Sequence, residues 1–317
     1  MQSSIATQPL ISIVIPSRNE QQDIGDTLEM CLALDYAPKE IIVVDDSTDR
    51  TPQIVAAYAN RGVRLIHREH NSNGCCGARN LGMQMARGEI LVIFNSDNRP
   101  SPDFIQRLLA HYRAGADYVV VQSVVQNRQV LWSRFIWAAE REGLSKGLPL
   151  EWSEGFSCRR AAAEAVGYIP GDFPVPFCRD WRFGQALHDA GYTKHTDLSI
   201  EMGHIAPGTL GEFWRIQVWK GTHIAPTRYY FGRLSLPVIA LIETARALRA
   251  LASIALVVPV AWRVARYARH AEHPIRELAG FWVAQAVKSL AQTVGAFQGI
   301  AVLARVEGWR GRARLAG

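Results

Sequence analysis

Several absences narrow the class of this chain before any motif is read. Its five cysteines show no repeated Cys-x-x-Cys pair, which argues against a zinc site. Neighbouring Cys75 and Cys76 are poor candidates to bond each other, so Cys31, Cys75, Cys76, Cys158 and Cys178 are all expected to be reduced thiols. The N-terminal MQSSIATQPL lacks the basic and apolar regions of a secretory signal. The expected setting is therefore cytoplasmic. No Gly-x-Gly-x-x-Gly follows the first apolar run, which argues against a dehydrogenase-type dinucleotide turn. Internal repeats and low-complexity segments are missing too. At 48% hydrophobic and 20% charged residues the chain is globular, not disordered.

Negative charge is scarce in one region. From Arg228 onward there are 13 Lys or Arg against 4 Glu and no Asp, a net of +9. The first 227 residues carry 22 basic against 25 acidic residues, a net of −3. A nucleic-acid binder would want its basic patch on the main domain, so nucleic acid is not the expected partner. In the apolar segment that opens near Leu234, the uncharged stretch Ala250–Trp262 is 13 residues, short of the roughly 20 that an ordinary membrane span needs. Glu243, Arg246 and Arg249 recur every three residues there, along one side of a helix. A second apolar stretch covers about 278–304, with Gln285, Lys288 and Gln292 as a narrow polar stripe.

What is present in the first half is alternation. Short, Val- and Ile-rich runs at Ile11–Pro16, Glu40–Asp46, Val63–His67, Glu89–Asn95 and Asp117–Gln122 read as strands buried on both faces. Helices are expected at about 21–34, 50–61, 74–87 and 102–115. Asp49 or Ser47 is expected to cap the second, and Ser101 with Pro102 to open the fourth. Repeated strand–helix–strand units predict an α/β fold, doubly wound, with a mostly parallel sheet flanked by helices. Asp180 stands where an N-cap belongs, before a helix ending at Gly191. The buried run Ile90–Phe94 ends abruptly in Asn95, Ser96, Asp97 and Asn98. In an open α/β sheet ligands bind at the carboxyl ends of strands, so this cluster is either a ligand site or an ordinary turn.

Four stretches, ISIVIPSRNE, EIIVVDDSTDRT, NSNGCCGARNLGMQMARGEILVIFNSDNRPSPDF and FCRDWRFGQALHDAGY, resemble in this order the successive blocks of family-2 glycosyltransferases of the GT-A fold. The resemblance spans about residues 9–222. It implies a GT-A catalytic domain over 1–227, with a nucleotide-binding half at about 9–122 and an acceptor half at about 123–227. A C-terminal apolar and basic helical region over 228–317 then remains. It also implies inverting transfer of a sugar from a nucleotide-sugar donor, commonly a UDP-sugar, with Mg²⁺ or Mn²⁺.

The resemblance assigns roles residue by residue. Pro16, Arg18 and Glu20 lie where the nucleotide rests. Arg18 replaces a common aromatic, and a guanidinium can stack on a base or meet phosphate. Asp46 faces the base, unless either member of the Asp45-Asp46 pair caps the next helix. Arg79 reaches the diphosphate or is a solvated helix residue. In Asn95-Ser96-Asp97 the last residue of the family's Asp-x-Asp motif is kept, so Asp97 binds the metal, and Asn95 supplies a neutral oxygen or touches the ribose. Mg²⁺ needs only one or two carboxylates besides phosphate oxygens and water. Asp180 matches the catalytic base, with Arg179 where the family has an acid. His204 is either a second metal ligand or a structural histidine. Gly155, Phe156 and Ser157 face donor sugar and acceptor, and Trp214 and Trp219 form an acceptor floor.

The +9 region suggests attachment to an anionic membrane surface, peripheral to its inner face, and a glycan or lipid-linked acceptor in envelope or polysaccharide synthesis. The competing reading is a helical hairpin packed on the catalytic domain, or a homo-oligomer contact. Two other functions fit the same fold: a catalytically impaired nucleotide-sugar-binding or scaffold protein, and a nucleotidyltransferase.

Overall fold

The computed structural model describes residues 5–69, 74–146, 150–170, 173, 175, 180–256 and 258–308. The chain divides into two compact units. The first takes in residues 1–124, 149–171 and 178–205, and the second residues 125–148, 172–177 and 206–317.

The first unit is built on the β-branched runs. In chain order it has β1 (Ile11–Ser17), α1 (Ile24–Leu32), β2 (Lys39–Asp45), α2 (Thr51–Ala56), β3 (Val63–His67), α3 (Gly74–Met85), β4 (Ile90–Ile93) and β5 (Asn98–Pro100). After these come α4 (Phe104–Arg113) and β6 (Tyr118–Val125). The eight-stranded sheet runs β3-β2-β1-β4-β7-β6-β8-β5, with β7 at Ser157–Arg159 and β8 at Lys194–His204. Pairing is parallel from β3 through β2 and β1 to β4. Antiparallel pairs follow between β4 and β7, β6 and β7, and β5 and β8. Ile13 and Ile15 pack in one layer with Leu28, Val43, Phe104 and Leu108, while Val14 packs in the other with Val44, Met83, Ile93 and Phe156. Period-two alternation with apolar residues on both sides is what a helix-covered sheet requires.

The helix of residues expected at 50–61 is shorter, because a 3₁₀ turn at Ala59–Arg61 closes it on Gly62. Arg50 is its N-cap residue, but Asp49 still acts as a cap, accepting from the Thr51 amide at 2.9 Å and the Thr51 hydroxyl at 2.5 Å. Asp103, rather than Ser101, precedes α4. One cysteine departs from expectation. Cys31, Cys75 and Cys158 are free, but Cys76 is disulfide-bonded. The reading of five reduced thiols tested only local spacing; Cys178 lies outside the described residues. That reading therefore no longer supports a reducing compartment.

The second unit is helical. It contains α5 (Leu131–Ser145). With the first unit's α6 (Arg160–Ala165) and α7 (Trp181–Asp189) counted in chain order, its later helices are α8 (Leu210–Thr222), the single turn α9 (Ile224–Pro226), α10 (Leu236–Leu256), α11 (Val258–Ala268) and the 34-residue α12 (Pro274–Glu307). Thr209 and Glu212 close a reciprocal capping box at the start of α8. The α8 and α12 backbones approach through Gly221, Gly295 and Gly299. A methyl at Gly295 would stand 2.0 Å from the Val218 carbonyl oxygen. Phe135, Phe213 and Phe281 meet edge-on in the core of this unit. Among the described residues, no helix is long and apolar enough to cross a membrane.

Candidate active site

The site of the first unit gathers at the carboxyl ends of β1, β2 and β4. There the chain leaves the sheet, and backbone groups need partners outside a ladder. Asn19 adopts φ +58°, a conformation Asn tolerates better than most residues. Its amide donates to the Ser47 hydroxyl at 2.7 Å, and its side-chain oxygen accepts from the Thr48 amide at 2.9 Å. The Glu20 amide donates to the Thr51 hydroxyl at 2.9 Å. These bonds tie the loop after β1 to the loop after β2. Pro16 is buried in register with Val44, and Arg18 is exposed at the rim.

The two aspartates ending β2 do different things. Asp45 is fully buried and accepts from the Ser47 amide and hydroxyl, with the His67 ring 3.0 Å away. It holds the loop. Asp46 is gripped through both oxygens by Arg68, which also donates to the Gly74 carbonyl at 3.1 Å. Neither residue caps α2.

Asn95 to Asn98 form a turn, and the turn carries the site. The Asn95 amide donates to the Asn98 side-chain oxygen at 2.8 Å, closing it. The Asn95 side chain points two ways. Its oxygen accepts from Arg79 Nη2 at 2.8 Å, and its nitrogen donates to Glu154 Oε2 at 2.5 Å. Arg79 is not solvated, as one alternative had it. Its side chain is 7% exposed, its Nη1 donates to Asp180 Oδ2 at 3.2 Å, and its guanidinium lies over the Trp152 ring at 5.2 Å. Asp180 is therefore both N-cap of α7, accepting from the Trp181 amide at 3.0 Å, and ion-paired partner of Arg79. Arg179, expected to be the cation beside Asp180, lies outside the described residues.

Acidity here is shaped by burial and crowding. Glu20 is pushed up to about 7 by burial, reinforced by Asp97 and Asp23. Glu154 is pushed up to about 7 by burial and by Asp97, against the pull of His204 and Arg79. The Asp97 carboxyl is raised by burial, with His204 pulling the other way. His204 sits opposite Asn98 in the β5–β8 register, so it belongs to this neighbourhood. Carboxylates crowded enough to hold protons near neutrality are a donor set that a hard divalent cation would relieve. Asp97, with His204 beside it, fits Mg²⁺ or Mn²⁺. Among the described residues no three His, Cys, Asp or Glu form a group that could hold a metal ion by themselves.

The stretch Gly155-Phe156-Ser157 is placed differently from the expectation. Phe156 and Ser157 are fully buried. Phe156 stacks on Trp152 at 4.6 Å, and Ser157 accepts from the Tyr112 hydroxyl at 2.8 Å. Neither lines an open surface, because β7 inserts them between β4 and β6. Gly155 has φ +78°, and a methyl there would meet Phe104 at 2.9 Å; it is a backbone requirement. The residue of this stretch that faces the site is Glu154, which the sequence reading missed. Its only local signal was a carboxylate next to a glycine before a strand. Trp214 and Trp219 lie on α8 of the second unit, both exposed, with the Trp219 ring edge-on to His223.

Residues 12–163 match the family model described as glycosyl transferase family 2. Over these residues the chain is similar to the family-2 glycosyltransferases. It is 27% identical over 212 residues to the putative colanic acid biosynthesis glycosyl transferase WcaA of Escherichia coli, covering 66% of this chain and 70% of that protein. It is 34% identical over 117 residues to the succinoglycan biosynthesis protein ExoO of Rhizobium meliloti, covering 37% of this chain but only 33% of the relative. This chain thus spans about a third of the length of several relatives it matches. Among solved structures, the mannosyltransferase PcManGT from Pyrobaculum calidifontis, in complex with GDP-Man and Mn²⁺, superposes with a TM-score of 0.55 at 22% identity, over 94% of this chain and 89% of that one. S. aureus TarS 1-349 with UDP-GlcNAc gives 0.53 at 16% identity, over 91% of each. The glycosyltransferase domain has the GT-A fold of these neighbours.

Proposed function

We propose that this chain is an inverting glycosyltransferase. It moves a sugar from a nucleotide-sugar donor, a UDP-sugar first among them, to a hydroxyl of an envelope or polysaccharide glycan, with a lipid-linked acceptor. The observation that carries the reading is the junction at Arg79. One buried guanidinium joins the turn bearing Asp97 to the carboxylate of Asp180. A donor diphosphate near Asp97 and an acceptor hydroxyl near Asp180 are thereby neighbours.

In this reading Asp180 takes the proton from the acceptor hydroxyl as its oxygen bonds to the anomeric carbon. The bond from that carbon to the diphosphate oxygen breaks, the nucleoside diphosphate leaves with the electron pair, and configuration inverts. General base catalysis contributes about 10²–10⁴-fold. Arg79 faces the charge that grows on the leaving diphosphate. Asp97, assisted by His204, holds the divalent ion, which when bound neutralises the leaving group's charge. Pro16, Arg18, Glu20 and Asp46 surround the nucleoside, with Asn95 at the ribose. Similarity to undecaprenyl-phosphate 4-deoxy-4-formamido-L-arabinose transferase of Edwardsiella ictaluri, 33% over 138 residues, supports a lipid-linked acceptor.

The second unit supports attachment to a membrane face. Leu241, Leu248, Trp262 and Ile275 are each more than 60% exposed in a region of net positive charge, and amphipathic helices bury such side chains at the headgroup boundary. The test of the whole reading is a panel of nucleotide-sugars with and without Mn²⁺. Hydrolysis of at least one donor, dependent on the ion, is expected. A binding-only protein of the same fold hydrolyses none.

A further inference from the structure

The second unit contains a pocket of about 360 Å³ framed by α9, α10, α11 and α12. Its lining is strongly cationic: Arg246, Arg249, Arg263 and Lys288 all contribute. Only one carboxylate, Glu243, is among the lining residues, and it is already held by Arg246 at 2.8 Å and Arg228 at 2.9 Å. Arg249, Arg263 and Lys288 form no ion pair with a carboxylate among the described residues. Lys288 lies over the Phe135 ring at 5.7 Å, yet three cations gathered around one hollow without a carboxylate partner repel one another.

A second observation comes from the floor of the pocket. Gln285 is 4% exposed and lines it. Its nitrogen donates to the Ser289 hydroxyl at 2.9 Å, while Oε1 has no hydrogen-bond partner among the described residues. A buried acceptor left unmatched is costly to the fold. The cavity therefore offers an acceptor beside three donors, a set complementary to a phosphate that still carries one proton or to a phosphate ester bearing a hydroxyl.

We propose that this pocket is an anion site that takes a phosphate or diphosphate group, bound by Arg249, Arg263 and Lys288 with Gln285 accepting from the ligand. The proposal does not rest on the glycosyl-transfer reading. Burial pushes Lys288 down to about 8, and Lys220 on α8 and Arg263 on α11 push the same way against Glu140 on α5. An anion reverses that balance, so binding takes up a proton near neutrality. Affinity is then highest below pH 8 and falls as pH rises through it. The exposed Leu248, Leu251 and Trp262 flank the cationic side chains in sequence. The same phosphate chemistry is available from a phosphomonoester lipid headgroup or from a soluble phosphate.

The experiment is calorimetric titration of the full chain with inorganic pyrophosphate at pH 7 and pH 9, repeated for Lys288→Met, Arg263→Gln and Gln285→Met. Saturable binding is expected, weakened about tenfold or more in the first two variants, where a charge-assisted bond is lost, and weaker at pH 9. Removing one member of an unpaired cationic cluster relieves repulsion, so Lys288→Met is expected to raise the unfolding temperature, which also shows that it folds. Asp97→Asn, in the other unit, is expected to retain this binding. Binding that is absent in the wild type, or equal in wild type and both charge variants, overturns the proposal. A second arm separates the sources with phosphatidylcholine vesicles containing phosphatidic acid or phosphatidylglycerol. A lipid phosphate is indicated if phosphatidic acid vesicles displace pyrophosphate and phosphatidylglycerol vesicles do not. A soluble phosphate is indicated if neither displaces it.

Discussion

Asn95 and Asp180 are joined through a single side chain. Arg79 donates one nitrogen to the amide oxygen of Asn95 at 2.8 Å and another to the carboxylate of Asp180 at 3.2 Å. The strand end that carries Asp97 and the helix start that carries Asp180 are thereby held in one neighbourhood by a buried cation. A family-like first acid at position 95 would have competed with Asp180 for that guanidinium. With an amide there, Asn95 can accept from Arg79 and donate to Glu154 at once.

Replacing Asp180 by Asn separates its two roles. Asn caps helices about as well as Asp, but the change also removes the charge paired with the buried Arg79, so the protein is expected to fold with its unfolding temperature lowered by several degrees. Loss of the proton acceptor is expected to lower kcat by about 10²–10⁴-fold with donor KM little changed. Steady-state transfer assays alongside thermal denaturation check both halves. A variant with near-normal turnover rejects Asp180 as the base.

Much of this site was legible in the sequence because its parts sit at strand ends, and strand ends are marked by the abrupt switch from Val and Ile to Asn, Ser and Asp. The first four strands and the α1, α3 and α4 helices were visible for the same reason: buried β-branched runs alternate with amphipathic ones. Strands β5 and β7 were not visible, since three residues such as Asn98-Arg99-Pro100 carry no periodicity. β8 escaped because its exposed residues, Thr196, Leu198 and Ser199 among them, break the apolar pattern. Glu154 was missed because its partner, Asn95, lies 59 positions away in sequence. Arg79 showed the limit from the other side: on a helix its face cannot be judged until the element packed against it is known.

Asn95→Asp is expected to trade stability for metal response. A new carboxylate would stand beside Glu154 and close to Asp97, both already raised by burial and crowding. Without metal, repulsion is expected to cost about 1 kcal/mol. With Mn²⁺, the added charge is expected to tighten binding roughly tenfold, since ligand charge tunes hard-cation affinity. Thermal shift across a Mn²⁺ titration reads both effects. An unchanged metal response counts against Asp97 as the metal ligand.

Gly295→Ala tests the packing of the second unit. The added methyl would stand 2.0 Å from the Val218 carbonyl oxygen and 2.8 Å from the Gly221 Cα. Backbone atoms of two helices must move to admit it. Overpacking of this kind costs about 1–3 kcal/mol or more, well beyond the small gain in helix propensity of Ala over Gly, about 1 kcal/mol. A lowered unfolding temperature is expected. A rise would mean that α8 and α12 are not in backbone contact there.

Glu142 gives the second unit an acid-sensitive lock. It is 1% exposed on α5 and pairs with Arg266 at 2.5 Å, Arg269 at 2.7 Å and His270 at 3.1 Å. Burial alone would raise its pKa, but the bonds from Arg269 and His270 and the charge of Arg266 outweigh it and bring the carboxyl down to about 2 from an ordinary 4.5. The sign follows from linkage. A carboxylate depressed in the folded state contributes its full stability above about 4.5 and loses it progressively as pH falls toward 2. Urea denaturation between pH 7 and pH 3 is therefore expected to show falling stability in the wild type. Glu142→Gln removes the charge but keeps the shape, leaving the part-exposed Arg266 and Arg269 against an amide. It is expected to cost about 1–3 kcal/mol at pH 7 and to show a flatter dependence below pH 4.5, because the group that titrates is gone. Parallel curves for wild type and variant over that range would rule out Glu142 as the source of the acid sensitivity.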